Sequence, residues 1–211
     1  MFSKKEYDGL HSLVFRSDYS GYKPSVIEIP NGDNKADAGK RYAHVALKYL
    51  KTKQQEKDLR PYLEFAFEEA CKIANEISNL SNKYYPNMEY GALRVLEYPP
   101  ETISNLHEDF DLFTLMMYRD QPDKFIAYGD ETEILINAHK INPQAHIGQL
   151  GEIVGLGKAT PHEVLPSDTK QSSIVYFAIP DHDVMLPTNI TVRDWLNERM
   201  ARSRSEFKAY E

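Results

Sequence analysis

His107 and Asp109 are the side chains in this sequence best suited to binding a metal ion. In an extended chain, residues two apart point to the same side, so both can face inward while Glu108 faces away. One imidazole nitrogen and one carboxylate oxygen would then converge on a single point. A second imidazole, that of His162, follows much later, at a separation that suits a ligand from a later strand.

Two histidines and one carboxylate form the ligand set of non-haem iron(II) centres, which keep other coordination positions open for O2 and a co-substrate. The short His-x-Asp pattern has low specificity, because such a pair is also common as a surface hydrogen bond. The alternative for His162, which follows Pro161, is a capping or turn histidine. The surrounding sequence favours the metal site over these alternatives.

Five motifs occur around these residues in a fixed order: Leu93 to Pro100, His107 to Met116, Gln149 to Glu152, His162 to Leu165 and Gln171 to Phe177. Their order and spacing resemble the isopenicillin N synthase-like branch of the 2-oxoglutarate- and iron(II)-dependent oxygenase superfamily. That branch carries L-R-x-x-x-Y-P-P, H-x-D-x-x-x-x-T-L-L, N-x-G-D, H-R-V-L and R-x-S-x-x-x-F in this order. The resemblance covers roughly Ala92 to Asp183, under half of the chain.

The resemblance implies a double-stranded β-helix, the jelly-roll or cupin-like core, with iron held by His107, Asp109 and His162 and no further catalytic residue. It also implies O2 and 2-oxoglutarate as co-substrates, and oxidation of a C–H bond of a small organic substrate by hydroxylation or desaturation. Tyr98 and Ser173 match residues of the co-substrate site. The retained Asp109 argues against a halogenase, since that chemistry usually needs the carboxylate position open.

One position departs from the family pattern. Gln171 stands where the family has the arginine that binds the distal carboxylate of 2-oxoglutarate. A guanidinium offers a charged, bidentate fork, whereas an amide offers neutral donors and an acceptor that can oppose the anion. Arg94, Lys158 or Arg119 could supply the missing cation from a neighbouring strand, and the sequence does not choose among them. The predicted co-substrate residues are Tyr98, Gln171, Ser173 and Arg94.

Three functions stay open at this point. 2-Oxoglutarate binds through a relocated cation, which we favour, or a different co-substrate binds, or the enzyme is an oxo-acid-independent iron oxidase like isopenicillin N synthase. From a different class, a non-catalytic metal-binding jelly-roll sensor is the alternative. The substrate and the oligomeric state cannot be predicted.

The composition restricts the partners. With 211 residues, the formal net charge is −7 and the pI is about 5.5, which argues against nucleic acid because phosphate binding needs clustered positive charge. Cys71 is the single cysteine, so no intramolecular disulfide can form and a reducing, cytoplasmic setting is expected. No apolar run approaches the length that spans a bilayer. A soluble protein acting on a small molecule is the expectation.

The elements that must position the site are predicted from periodicity. Residues 1–38 are predicted as loops with a short strand at Ser25 to Ile29, and Gly39 to Leu50 as a weak helix. Apolar residues at steps of three and four predict a long scaffold helix at about 58–80, with Asp58 as N-cap and Pro61 in the first turn.

Six short segments bounded by turn residues are predicted as strands: Ala92 to Glu97, Asp111 to Tyr118, Lys124 to Tyr128, Glu133 to Ile136, Ala145 to Leu150 and Ser173 to Ile179. A last helix is predicted from about Thr191, capped by Thr191 and Asp194. We expect a mainly β fold with flanking helices in one oxygenase domain, 1–211. Its parts would be N-terminal loops and helices (1–90), the jelly-roll core (91–183) and a C-terminal helix (184–211).

Overall fold

The computed structural model describes residues 1–15, 39–76, 82–128, 135–136, 147–150 and 159–203, and within these only the backbone of 135–136, 147–150 and 200–203. The predicted strand at 25–29, the helix end at 77–80, Lys158 and the tail beyond 203 lie outside the described residues. So do Gly151 and Glu152 of the third motif.

Antiparallel strands dominate the described chain. They are β1 (Arg41–Ala46), β2 (Ala92–Tyr98), β3 (Ser104–His107), β4 (Phe113–Arg119), β5 (Phe125–Tyr128), β6 (Leu135–Ile136), β7 (Ile147–Leu150), β8 (His162–Val164) and β9 (Gln171–Ala178). One sheet has the strand order β1-β2-β9-β4-β7 and the other β3-β8-β5-β6. The pairings within both sheets are antiparallel. The mainly β, antiparallel architecture is confirmed.

Three α-helices accompany the sheets in the described ranges: α1 (Lys4–Val14), α2 (Lys53–Glu76) and α3 (Val192–Ser203). Short 3-10 turns occur at Leu47–Tyr49, Asn82–Tyr84 and Pro122–Lys124. None of the helices in these ranges combines the length and the hydropathy needed to cross a lipid bilayer.

Two apolar layers lie on opposite faces of the five-stranded sheet. The larger lies on the outer face and joins helices α1 and α2 to the sheet, with Leu10, Leu63, Leu93 and Val95 among its members. The smaller lies between the two sheets, and its members are Tyr42, Leu96, Tyr98, Met116, Phe125, Val164 and Val175. Because side chains alternate along a strand, odd-numbered residues of β2 face the helices and even-numbered ones face the inter-sheet space. The inter-sheet space is therefore where β2 can present side chains to a ligand.

Two predictions for the N-terminal third are wrong. The segment 39–50 contains strand β1 and is not a helix, because residues 41–46 pair with β2, from Arg41 opposite Glu97 to Ala46 opposite Ala92. Residues 4–14, predicted as loop, form α1. Ser3 and Glu6 cap this helix reciprocally: the Glu6 N–H donates to Ser3 Oγ and the Ser3 N–H donates to Glu6 Oε2.

The long helix is confirmed, but it begins earlier than predicted. Its N-terminus is fixed by Thr52, whose Oγ1 accepts the Gln55 N–H at 3.1 Å, while Gln55 Oε1 accepts the Thr52 N–H at 3.1 Å. Asp58 is consequently inside the helix and is not its N-cap. Pro61 also lies in the helix interior, where its missing N–H removes one backbone hydrogen bond without ending the helix.

Four of the six predicted strands are confirmed in place, with shifts at the ends, and the other two contain β6 and β7, while their residues 133–134 and 145–146 lie outside the described residues. The predicted segments from 92 and 173 match β2 and β9, and those from 111 and 124 match β4 and β5. The short strands β3 and β8 have no counterpart among the predicted elements. The C-terminal helix is confirmed, with Asp194 N–H donating to Thr191 Oγ1 at 3.1 Å and Thr191 Oγ1 donating to Asp194 Oδ2 at 2.7 Å.

A buried carboxylate ties α1 to the sheet. Glu97 of β2, 6% exposed, pairs with His11 Nε2 at 2.9 Å, with Arg41 Nη1 at 3.4 Å and with Lys170 Nζ. The hydrogen bond from His11, and then that from Lys170, lower the pKa of Glu97 to about 2 although burial acts in the opposite direction. Glu97 is therefore held as a carboxylate in the folded protein.

This pairing predicts an acid-labile contribution to stability. Since the folded-state pKa of Glu97 lies below its ordinary value, its contribution is complete above about pH 4.5 and is lost as the pH falls towards 2. Glu97→Gln should lower the free energy of unfolding at pH 7 by about 1–3 kcal/mol and flatten the dependence between pH 5 and 2, measured by urea denaturation. The exposed Glu89, 3.6 Å from Lys48, provides the control: Glu89→Gln should change little. Equal effects of the two substitutions would contradict the prediction.

Candidate metal centre

Pairing of β3 with β8 places the two predicted histidine ligands side by side. His107 is directly opposite His162 in the antiparallel register, and their ring centroids are 4.2 Å apart. The Nδ1 atom of His107 lies 2.7 Å from the Asn105 carbonyl oxygen, and that of His162 lies 3.0 Å from the Thr160 carbonyl oxygen. Each Nδ1–H therefore donates to backbone, so each Nε2 keeps a lone pair for a metal ion.

Asp109 completes the group from the segment that connects β3 to β4. Its Oδ2 is 3.6 Å from His162 Nε2 and its Oδ1 is 4.0 Å from His107 Nε2. One ligand atom from each of the three residues lies within 4.8 Å of the others, so one ion between them could contact all three. Partial burial and the neighbouring His162 both lower the pKa of His107, which favours the neutral imidazole that a metal requires. The three predicted ligands are thus brought together.

A buried hydroxyl orients the carboxylate of Asp109. Thr114 Oγ1 lies 2.6 Å from Asp109 Oδ2 and 2.8 Å from Asp111 Oδ2. The hydroxyl has one hydrogen and can donate it to only one of them. Burial, and then the charge of Asp109, raise the pKa of Asp111 well above its ordinary value. A protonated Asp111 can donate to Thr114 Oγ1, which in turn donates to Asp109.

This contact predicts an effect on metal affinity without a change of ligand. Thr114→Val should weaken iron(II) binding by about ten- to a hundredfold, the usual cost of losing a group that orients a ligand. Thr114→Ser keeps the hydroxyl and should stay near the wild-type value. Anaerobic iron titration of the two variants measures the difference, and a valine variant that binds iron as tightly as the serine variant would refute the orienting role.

The ligand group opens into a cleft between the two sheets. Its lining residues are Lys40, Arg94, Leu96, Tyr98, His107, Asp109, Thr114, Met116, Arg119, Phe125, His162, Val164, Ser173, Val175 and Phe177. Among the predicted co-substrate residues, Tyr98, Ser173 and Arg94 line this cleft. Gln171 lies opposite Tyr98 in the β2–β9 register but is not one of the lining residues.

Gln171 is bound to a neighbouring arginine. Arg119 Nη2 donates to Gln171 Oε1 at 3.1 Å, and Gln171 Nε2 donates to the Leu165 carbonyl oxygen at 2.8 Å. Arg119 is directly opposite Ser173 in the β4–β9 register. A guanidinium from β4 therefore stands beside the two positions at which the family pattern has arginine and serine.

A β-bulge directs Arg119 into the cleft. In the β4–β9 pairing, Met116 is opposite Val175 and Tyr118 is opposite Ile174, so Met117 is an extra residue in β4. Met116 packs in the inter-sheet layer, whereas Met117 and Tyr118 both pack in the helix-side layer. Alternation resumes one residue out of phase, which turns Arg119 to the inter-sheet side.

Arg119 is deeply placed and well held. It is 8% exposed, its Nε donates to the Gln121 carbonyl oxygen at 2.8 Å, and its guanidinium carbon is 5.2 Å from the Phe125 ring centroid. Burial lowers its pKa to about 10, which still leaves it charged at neutral pH. Among the described residues, no carboxylate forms an ion pair with it.

Two polar lining residues, Thr114 and Lys40, have no role assigned from the sequence. Thr114 is the threonine of the motif H-x-D-x-x-x-x-T-L-L, so the motif already contains this residue. Lys40, whose Nζ is 5.0 Å from the Tyr98 ring centroid, immediately precedes β1, in a segment predicted as helix. Only the pairing of β1 with β2 brings it to the cleft.

Comparison with known proteins shows the fold. Neither a protein-family model nor a curated protein sequence matches the chain. Solved structures do match. A protein from Shewanella oneidensis described as an oxygenase is 19% identical, with a TM-score of 0.53, over 80% of this chain and 70% of that one.

Two further structures are similar. A full-length Neurospora crassa protein, solved in complex with alpha-KG and 5-formyluracil, is 16% identical with a TM-score of 0.57, over 77% of this chain and 69% of that one. The rice dioxygenase for auxin oxidation is 12% identical with a TM-score of 0.58, over 95% of this chain and 81% of that one. The chain therefore shares its fold with oxygenases.

Proposed function

We propose that this protein is a non-haem iron(II) oxygenase that uses 2-oxoglutarate and O2 to oxidise a C–H bond of a small organic substrate. The observation that carries the proposal is the convergence of His107, Asp109 and His162 at the mouth of a cleft. The shared fold and the alpha-KG bound to one structural neighbour support the choice of co-substrate. The motif order supports the isopenicillin N synthase-like branch and a double-stranded β-helix core.

The donor set fits iron(II). Two imidazole nitrogens and one carboxylate oxygen suit a divalent metal of intermediate softness and leave coordination positions open. Iron bound there with 2-oxoglutarate would supply the activation of O2. The chain holds both imidazoles in one tautomer through backbone carbonyls, and it fixes Asp109 through Thr114.

Arg119 is the proposed partner of the distal carboxylate of 2-oxoglutarate. The family pattern needs a cation beside Ser173, and Gln171 cannot supply one. Gln171 instead accepts from Nη2 of Arg119 and fixes the guanidinium while remaining neutral. Among the described residues, Arg119 donates to the neutral oxygens of Gln121 and Gln171. A carboxylate bound in the cleft would balance its positive charge. In this proposal, the positive charge that the family places at position 171 comes instead from Arg119 of β4.

Apolar side chains complete the cleft. Leu96, Met116, Phe125, Val164 and Val175 form a wall between the sheets. This wall limits water around the metal ligands, which strengthens the electrostatic interactions within the cleft and protects the oxidation from side reactions.

A spectroscopic assay tests the function. Anaerobic iron(II) followed by 2-oxoglutarate should give a weak visible charge-transfer band, which O2 should discharge with formation of succinate and CO2. Iron binding without this band and without succinate would overturn the use of 2-oxoglutarate. Substrate-dependent O2 uptake would then distinguish an oxo-acid-independent oxidase from a non-catalytic metal-binding sensor.

A further inference from the structure

A second arginine lies in the cleft at a different place from Arg119. Arg94 of β2 is opposite Val175 of β9, and its guanidinium carbon is 4.5 Å from the Phe177 ring centroid and 5.0 Å from that of Tyr42. The side chain thus extends along the inter-sheet face towards Phe177. Phe177 is opposite Thr114 in the register, so Arg94 points towards the end of the cleft that holds the metal ligands.

Two aromatic rings flank this guanidinium without neutralising it. Within the described ranges, the buried Nε atom of Arg94 has no hydrogen-bond partner, and no carboxylate forms an ion pair with Arg94. Cation–π contacts offset only part of the cost of taking a guanidinium out of water. A charged, incompletely bonded guanidinium beside apolar side chains is a binding position for an anion.

The charges of the cleft indicate which anion is still required. If 2-oxoglutarate occupies Arg119 and the open metal positions, its two carboxylates are both accounted for. Asp109, the carboxylate among the described lining residues, is directed at the two imidazoles. Lys40, the third cation of the lining, lies beside the Tyr98 ring at the co-substrate end of the cleft. Arg94 is then the cation that faces the remaining space of the cleft, where the substrate must bind to reach the metal.

We infer that Arg94 binds a carboxylate of the substrate, so that the substrate class is a small carboxylic acid with an apolar body. This inference rests on the proposed function. A single planar fork matches the two oxygens of a carboxylate, and the rings of Tyr42 and Phe177 with the side chain of Val175 offer an apolar surface to the rest of the molecule.

Matched pairs of probes test the inference. The pairs are phenylacetate with phenylacetamide, 3-phenylpropanoate with its amide, and hexanoate with hexanamide. Binding is measured by ligand-observed NMR on the protein loaded with Zn(II) and saturating 2-oxoglutarate, so that Arg119 is occupied and no turnover occurs. At least one carboxylate should bind about ten- to a hundredfold more tightly than its amide.

Substitutions assign this preference to one side chain. Arg94→Gln should abolish the preference and Arg94→Lys should retain part of it. Arg60→Gln, on the exposed face of α2, should leave it unchanged. No preference in any pair, or a preference that survives Arg94→Gln, would overturn the inference. A preference lost in Arg119→Gln but kept in Arg94→Gln would place the anion at the co-substrate position and would also overturn it.

Binding of 2-oxoglutarate, followed in the same samples, reports separately on the proposed function. Tight 2-oxoglutarate binding without discrimination by Arg94 would leave the oxygenase proposal standing and remove the substrate class. Discrimination between carboxylate and amide by Arg94 without 2-oxoglutarate binding would support an anion site at Arg94 and remove the proposed use of 2-oxoglutarate.

Discussion

Substituting His162 by alanine should lower iron(II) affinity by more than about a hundredfold, a larger loss than removal of a group that only orients a ligand. His162 is 5% exposed, and its Nε2 lies 3.6 Å from Asp109 Oδ2. A water molecule in the place of the imidazole would be a weaker metal ligand. Two remaining ligands bind a divalent ion weakly. Equilibrium dialysis with metal analysis under anaerobic conditions measures the change.

Folding must be separated from ligation in this experiment. The His162 ring centroid also lies 5.5 Å from that of Phe125, so truncation of His162 costs some stability. His107→Ala removes the more exposed ligand, with 43% of its side chain accessible, and should cause the same loss of iron in a protein that unfolds near the wild-type temperature. His182→Ala, on the ring stacked against Tyr90, is the histidine control and should retain iron. Stoichiometric, tight iron in either ligand variant would show that the assigned residues are wrong.

Arg119→Gln should weaken 2-oxoglutarate binding by about ten- to a hundredfold while leaving iron affinity unchanged. The expected size is that of a charge-assisted hydrogen-bond pair replaced by a neutral one. Arg119→Lys should recover part of the affinity, because it restores the charge without the fork. Isothermal titration of the metal-loaded protein with 2-oxoglutarate, and of the metal-free protein with iron(II), gives the two affinities.

A ligand without the distal carboxylate makes this test specific. 2-Oxobutyrate keeps the metal-binding end of 2-oxoglutarate and lacks the group that Arg119 would bind. The wild-type protein should prefer 2-oxoglutarate, and Arg119→Gln should lose that preference while binding 2-oxobutyrate as before. An equal loss for both ligands would indicate that Arg119 only supports the structure of the cleft.

The group of His107, Asp109 and His162 is predictable because its signal is local. Alternation along an extended chain places His107 and Asp109 on one side, and the motif order supplies His162. The strands from residue 92 onward and the C-terminal cap are also encoded in short windows of sequence. The cap of α1 is equally visible, since Ser3 and Glu6 have the spacing of a capping box, but the turn-forming residues that follow it favour the loop prediction.

Other features depend on pairing between distant segments. Strand β1 has no strong local pattern, and its register with β2 determines both its conformation and the arrival of Lys40 at the cleft. The choice between Arg94 and Arg119 likewise needs the register of three strands. Simple alternation from Thr114 and Met116 would place Tyr118 in the cleft and Arg119 against the helices.

The extra residue in β4, Met117, determines which face of the strand Arg119 occupies. Deleting Met117 would make the strand regular, and Arg119 would still stand opposite Ser173, with Tyr118 still opposite Ile174. Straightening the strand with all its residues kept would instead place Tyr118 opposite Ser173, with its phenol in the cleft, and turn the guanidinium of Arg119 towards α1 and α2. A redesign that removes the β-bulge must therefore also delete one residue from β4 if Arg119 is to stay in the cleft.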